Sequence, residues 1–127
     1  MPDTRWDIER DDGVVIAELP DGLPVDEAAF PLFLEEFERP ASAPDVRGCV
    51  VVAEVADETD PALFDQVEEV GRVGRRHEVE RFALVCESGS ARESVTSVVS
   101  GLDGVETLGT ADRAEAVEWA REVAGVV

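Results

Sequence analysis

The chain has 127 residues and a net charge of -19, because 30 Asp and Glu residues stand against 11 basic residues, all of them Arg. Binding to nucleic acid needs a basic surface, so we do not expect it, and an anionic membrane surface would repel the chain. No apolar run approaches the ~18–20 residues of a membrane span, and the first residues lack the apolar region of a signal peptide. The sequence therefore predicts one cytoplasmic domain over residues 1–127, with no partner among nucleic acids or membranes.

The lack of lysine and the excess of carboxylates are typical of a protein that works in concentrated salt. Self-repulsion disfavours a compact state in dilute buffer. Salt screens it, since the Debye length falls from about 10 Å at 0.1 M to about 3 Å at 1 M. We interpret the chain as halophilic, of the haloarchaeal type; an acidic protein from an ordinary cell is the alternative.

The N-terminal residues predict a β-hairpin. Apolar and polar residues alternate over Thr4–Arg10, which indicates a half-buried strand. Asp12-Gly13 is a strong hairpin turn signal. A second strand follows over Gly13–Leu19, and Pro20-Asp21-Gly22 is expected to end it.

A helix is predicted over residues 26–39 from apolar residues at helical spacing, which are Phe30, Phe33, Leu34 and Phe37. Pro31 conflicts with this pattern, so either the helix kinks there or its regular part begins near Phe30. The prolines and small residues of Pro40–Pro44 predict a linker.

The middle of the chain predicts a buried strand followed by a helix. Val50–Ala53 shows no alternation, which is typical of a central strand buried on both faces. Asp60 and Pro61 fit the N-cap and the first position of the next helix. Its apolar stripe consists of Leu63, Val67, Val70 and Gly74. Gly71 and Gly74 would let this helix pack closely on the sheet.

Two further strands and helices complete the chain. Phe82–Cys86 predicts another buried strand, and Ser90–Glu93 has the form of a capping box. A short strand is expected over Val105–Leu108, and Thr110 is expected to cap the last helix. The apolar stripes of the two helices are Val95, Val98, Val99 and Leu102, and Ala116, Trp119, Ala120 and Val123.

The two cysteines are expected to be free thiols. If the two buried strands align by their polar ends, Glu54 and Glu87, the sulfurs of Cys49 and Cys86 are staggered by four residues. At about 3.3 Å per residue this separates them by roughly 13 Å. A disulfide needs Cα atoms within about 7 Å.

The predicted order is ββαβαβαβα, an α/β fold with an N-terminal hairpin and a mainly parallel sheet. Asp12–Leu19 resembles the opening hairpin of the SpoIIAA-like (STAS/SEC14-like) domain family, and Ala114–Ala120 resembles its closing helix. The resemblance implies a single STAS-like domain that binds or regulates a partner. Members that act as kinase-controlled switches carry a phosphorylatable serine after the central strand. This chain has only Thr59 there, among carboxylates that would repel a phosphate, so the switch is not carried over.

Candidate binding residues follow from the rule that open parallel sheets bind ligands beyond the carboxyl ends of their strands. A hydroxyl-rich loop at a helix N-terminus beside a guanidinium suits a small anion. The alternative is that these residues only cap helices and form turns. They are Asp57, Thr59, Asp60, Ser88, Gly89, Ser90 and Arg92.

One group of cations stands out on this acidic chain, and we call it the basic cluster: Arg72, Arg75, Arg76 and His77. It fits a docking spot for an acidic partner segment, or cations that complement a helix C-terminus. The single His excludes chemistry that needs several histidines. We expect no metal and no cofactor.

Three classes of function stay open. The first is a non-enzymatic STAS-like module that engages a partner protein or a small ligand. The second is a carrier whose first helix swings at Pro31 to open an apolar pocket. The third is a small enzyme with its site at the strand ends, for which the sequence marks no catalytic residue. The oligomeric state is also left open.

Overall fold

The computed structural model describes residues 6–55, 57, 59–102 and 104–124, and the side chains of 21, 123 and 124 are not described. Its elements are β1 Asp7–Asp11, β2 Val14–Leu23, α1 Phe30–Ala41, β3 Gly48–Val55, α2 Pro61–Arg76, β4 Arg81–Val85, α3 Gly89–Ser100, β5 Glu106–Thr110 and α4 Arg113–Ala124. The predicted ββαβαβαβα order is confirmed. Within the described residues, five strands lie in the sheet in chain order, and only the β1–β2 pair is antiparallel.

The hairpin is closed by the predicted turn. Asp12 and Gly13 both have positive φ, 44° and 81°, which a two-residue hairpin turn of this kind requires. Asp7 then lies opposite Glu18 and Asp11 opposite Val14. Thr4 and Arg5, which we included in the first strand, lie outside the described residues.

The second strand continues beyond the predicted end at Leu19. Leu19 pairs with Ala53 and Leu23 with Val55, so four steps along β2 match two along β3. This irregularity accommodates Pro20, which has no N–H to donate. Gly22 adopts φ +79°, and a Cβ there would lie 2.6 Å from the carbonyl oxygen of Glu54. The prediction that these residues end the strand was wrong because they form a bulge within it.

The first helix begins at Phe30 with Pro31 in its first turn, so the second of our two alternatives is confirmed and no kink is needed. The predicted linker was wrong at its start, because Pro40 and Ala41 belong to the last turn. Ala41 continues the stripe formed by Phe33 and Phe37 and is fully buried. Burial of this stripe outweighs the one backbone hydrogen bond that Pro40 cannot donate.

The helices cover the two faces of the sheet unequally. Successive right-handed crossovers between neighbouring strands place α1, α2 and α3 on one face, and α4 returns across the other, over β2 to β5. The larger core lies under α1 to α3. The smaller core, under α4, contains Val14, Ile16, Val50, Ala83, Val85, Ala116, Val117 and Ala120.

The central strands are placed as predicted. Residues of β3 contribute to both cores, as Val50 and Val51 show. Cys49 pairs with Phe82 in the parallel β3–β4 register. This register places Cys49 four residues from the position beside Cys86, and both thiols are free and buried.

The second helix begins as the sequence predicts, with Asp60 as its N-cap and Pro61 in the first turn. One glycine on it makes a different contact from the one expected. A Cβ on Gly71 would lie 2.8 Å from Cδ1 of Leu102 and 3.6 Å from Val99. The close approach is therefore between α2 and α3, and not between α2 and the sheet.

Candidate functional site

The side chain of Glu54 joins the carboxyl ends of β3 and β4. We had used this residue only to align the two strands. The carboxylate of Glu54 accepts hydrogen bonds from the backbone N–H of Glu87 at 3.2 and 3.3 Å. The Sγ of Cys86 lies 3.5 Å from the same carboxylate. Burial raises the pKa of the Cys86 thiol, and the charge of Glu54 raises it further. A carboxylate of the chain itself therefore takes the backbone donor that an anionic ligand would use.

The loop after β3 forms a turn and a helix cap. Asp57 accepts hydrogen bonds from the hydroxyl and the backbone N–H of Thr59, at 2.6 and 2.9 Å. The bond from the Thr59 hydroxyl, followed by that from its backbone, lowers the pKa of Asp57. Asp60 accepts from the backbone N–H of Ala62 at 2.9 Å and caps α2. The three predicted binding residues here bond within their own segment.

The loop after β4 caps α3 at a different residue from the one predicted. Ser88, with an extended backbone, is the N-cap and accepts from the N–H of Ala91 at 3.2 Å. The capping-box prediction on Ser90 and Glu93 was wrong by two residues, because the chain enters the helix at Gly89. The Ser88 and Ser90 hydroxyls lie 3.3 Å apart.

The guanidinium of Arg92 ties α3 to the end of β4. Its Nη1 donates to the carbonyl oxygens of Cys86 and Glu87 at 2.6 and 3.1 Å. Gly109 of β5 lies directly against it, since a Cβ on this glycine would stand 2.9 Å from Cβ of Arg92. An open groove of about 430 Å³ adjoins this contact, lined by Gly89, Arg92, Glu93, Thr96 and Gly109. Arg92, which we predicted to bind a small anion, thus bonds to backbone carbonyl oxygens. This contact gives it a structural role.

The last helix is capped by Asp112 and not by Thr110. The carboxylate of Asp112 accepts from the backbone N–H of Ala114 at 2.9 Å. The Thr110 hydroxyl donates to Glu115 and accepts from the N–H of Asp112. The prediction for Thr110 was wrong because its strand extends through this residue and the helix begins three residues later.

The basic cluster is in contact with carboxylates of the same chain. Arg72 pairs with Glu68 at 2.8 Å, while Arg76 and His77 reach Glu38 of α1 at 3.7 and 2.8 Å. The hydrogen bond with His77 lowers the pKa of Glu38, and the charges of His77 and Arg76 act in the same direction. The fourth member, Arg75, lies beside Gly104. The cluster joins α2 to α1, so any acidic partner would compete with these internal contacts.

The interior beneath α1 contains a cavity of about 10 Å³, which is the space of about one water molecule. Its lining is apolar except for Gln66, whose amide bonds to the backbone N–H and carbonyl of Val25 at 2.7 and 2.6 Å. A carried ligand would require α1 to move.

Sequence reasoning missed a surface where β1 meets α1. Leu32 of α1 has 48% of its surface exposed, whereas Trp6 has 8%. The indole Nε1 of Trp6 is buried and has no hydrogen-bond partner among the described residues. A groove of about 60 Å³ lies beside it, lined by Trp6, Leu19, Gly22, Pro24, Val25, Asp26 and Ala29. The available signal was Leu32 itself, an apolar residue outside the stripe that predicted the helix.

No group of three or more metal-ligating side chains occurs among the described residues. Within the same residues, no helix is long and apolar enough to cross a membrane. Comparison of the chain with protein-family models, with curated proteins and with solved structures finds no match.

Proposed function

We propose that this chain is a non-enzymatic, STAS-like module of the SpoIIAA-like group that binds a partner protein in a cytoplasm of high salt concentration. The observation that carries the proposal is the set of hydrogen bonds made by side chains at the carboxyl ends of the parallel strands. There, the side chains of Glu54, Asp57, Asp60, Ser88 and Arg92 bond to backbone or neighbouring side chains of the same loops. An active site needs polar groups that point towards a substrate. These side chains bond instead to other atoms of the same chain.

The element order supports assignment to the STAS-like class. The opening hairpin followed by alternating strands and helices, with a mainly parallel sheet, is the arrangement that the resemblance implies. The serine of the kinase-controlled members has no counterpart at Thr59, whose hydroxyl donates to Asp57. We therefore propose recognition without control by phosphorylation at this turn.

The proposal is tested by capture and reconstitution in 2 M KCl. The tagged chain is used to recover partners from a lysate of the producing organism, and each purified candidate is titrated against the untagged chain. We expect a saturable complex of fixed stoichiometry and no turnover of small molecules. Failure of every candidate to form such a complex would contradict the proposal. So would turnover of a small molecule that Glu54→Gln abolishes.

A further inference from the structure

We propose that the outer edge of β1 and the adjoining flank of α1 bind an extended segment of a basic partner protein, in which Arg or Lys alternates with apolar residues. We call this the edge surface: Trp6, Asp7, Ile8, Glu9, Asp11 and Leu32. The inference rests on the proposed function and names the partner class and the surface.

The backbone of β1 provides the first contact. Within the described sheet β1 is the outermost strand and hydrogen-bonds only to β2. An edge strand presents a row of backbone N–H and C=O groups to solvent. An extended peptide can add to such an edge, with main-chain bonds giving affinity and side chains giving specificity.

One face of β1 is acidic and favours a partner segment with positive charge. Asp7, Glu9 and Asp11 alternate along the strand, and all three are exposed. Arg113 reaches Glu9 at 3.1 Å and also Glu18 of β2 at 3.2 Å, and Arg121 reaches Asp11 at 3.0 Å. Among the described residues this face has four carboxylates, including Asp7, and two cations that contact three of them, so it keeps a negative charge. A second copy of β1 would bring carboxylates against carboxylates, whereas Arg or Lys at alternate positions would pair with them.

The other face of β1 is partly apolar and favours apolar residues at the alternate positions of the partner segment. Ile8 is partly buried against the larger core, and the Trp6 ring meets Phe33 of α1 edge to face with centroids 5.5 Å apart. Arg10 also lies on this face, at the far end of the strand, and pairs with Asp45 at 3.6 Å. Apolar side chains of an added strand would continue the Trp6–Ile8 half of this face.

The exposed leucine lies on the flank of α1 opposite to the one that contacts α2. Leu32 and Leu34 flank the buried Phe33 at about 100° to either side of the helix axis. Leu34 shares its side with Glu38, which contacts α2. Leu32 therefore lies on the flank of α1 that is away from α2, and α1 also contacts β1. In the proposed complex it would contact an apolar side chain of the added strand.

The indole of Trp6 supplies an independent sign of a missing partner. A buried donor with no acceptor is destabilising. Among the described residues Nε1 of Trp6 has no acceptor, and Trp6 itself lines a groove together with residues of β2 and of the segment before α1. A carbonyl oxygen of the added segment could accept this hydrogen bond. The same segment would then satisfy the strand edge, the acidic face and the indole.

The test uses three synthetic octapeptides in 1 M KCl: one alternates Arg and Val, one has four Arg followed by four Val, and one alternates Glu and Val. Binding to the ¹⁵N-labelled chain is followed by amide shifts and by the indole N–H resonance of Trp6. We expect the alternating Arg–Val peptide to bind about tenfold more tightly than the block peptide, with shifts on β1, α1 and the Trp6 indole. The Glu–Val peptide should not bind.

Variants separate this surface from general charge attraction. Leu32→Asp and Asp7→Lys should each weaken binding about tenfold, while Leu32→Met and the charge-matched Glu118→Lys, at an exposed position of α4, should not. The inference is overturned by equal binding of the block peptide, by shifts confined to other elements, by equal effects of Asp7→Lys and Glu118→Lys, or by a dimer of the chain that uses this edge. In any of these cases a captured partner could still bind elsewhere, so the proposed function would stand.

Discussion

The carboxylate of Glu38 on α1 lies 2.8 Å from Nε2 of His77, the C-cap residue of α2. The two residues are 39 positions apart, and their contact fastens two helices that pack on the same face of the sheet. Arg76 approaches the same carboxylate at 3.7 Å. One acidic side chain thus holds half of the basic cluster.

This contact predicts a defined pH dependence of stability. The pKa of Glu38 is lowered from 4.5 by its bond to His77. The stabilisation it gives is therefore present above pH 4.5 and is lost as the pH falls through the lower, folded-state value. Urea unfolding in 2 M KCl at pH 6 and pH 3 should show a larger loss of midpoint for the parent than for Glu38→Gln. Glu36→Gln on the same helix is the control and should behave like the parent; equal losses in all three would contradict the prediction.

Arg92 is expected to contribute to stability and not to recognition. Arg92→Met removes two hydrogen bonds to carbonyl oxygens at the end of β4 and should lower the free energy of unfolding by about 1–3 kcal/mol. Arg72→Met, which removes an exposed pair with Glu68, should cost less than about 1 kcal/mol. Both are measured by urea unfolding in 2 M KCl. An unchanged midpoint for Arg92→Met would show that the guanidinium is available to a ligand.

Two glycines predict unequal losses of stability on substitution by alanine, a larger one at Gly48 than at Gly71. A Cβ on Gly48 would lie 2.6 Å from the carbonyl oxygen of Ala120 in α4, and this backbone contact cannot easily move. Gly48→Ala should therefore cost about 1–3 kcal/mol. A Cβ on Gly71 would meet the end of the Leu102 side chain, which can turn aside, and the gain in helix propensity of about 1 kcal/mol opposes the cost. Thermal unfolding compares the two variants, and equal losses would mean that α4 does not approach β3 this closely.

The fold could be predicted from sequence where burial alone decides the structure. The run Val50–Ala53 specifies a strand because it is apolar on both faces, and the polar ends Glu54 and Glu87 give the β3–β4 register. The end of β2 could not be predicted, because Pro20 and Gly22 have the local pattern of a terminating turn. Their bulge depends on the backbone of β3, which lies far along the chain.

The sequence predicted where the residues of the candidate site lie, but not which contacts they make. The loops carrying Asp57, Ser88 and Arg92 do follow the parallel strands. However, Ser88 and Ser90 are equivalent by local pattern, and only the entry angle of the chain selects Ser88 as the cap. The partner of His77 depends on helix packing, so no local pattern could identify Glu38.

Surface charge predicts a strong dependence of stability on salt. Glu36, Glu69, Glu93 and Glu118 lie on helices, and within the described residues their carboxylates make no hydrogen bond or ion pair. Unscreened like charges on a helix cost a few tenths of a kcal/mol per pair. The Tm should rise steeply from 0.1 M to 2 M KCl, with most of the rise below about 1 M. Changing all four residues to Gln should raise the Tm at 0.1 M and alter it little at 2 M. A flat Tm in parent and variant would contradict the halophilic interpretation.

We expect the polar groups at the strand ends to stabilise the fold and the partner to bind elsewhere. The affinity of the partner for a variant that lacks these groups tests this most directly. A triple variant, Glu54→Gln, Asp57→Asn and Ser90→Ala, removes polar chemistry from the loops but retains oxygen acceptors at the first two positions. The dissociation constant of the captured and purified partner is then compared between parent and variant by calorimetry in 2 M KCl, after thermal unfolding confirms that both fold. We predict values within about twofold of each other, since these groups act within the fold. A loss of tenfold or more in a folded variant would place the binding site at the strand ends and contradict this account.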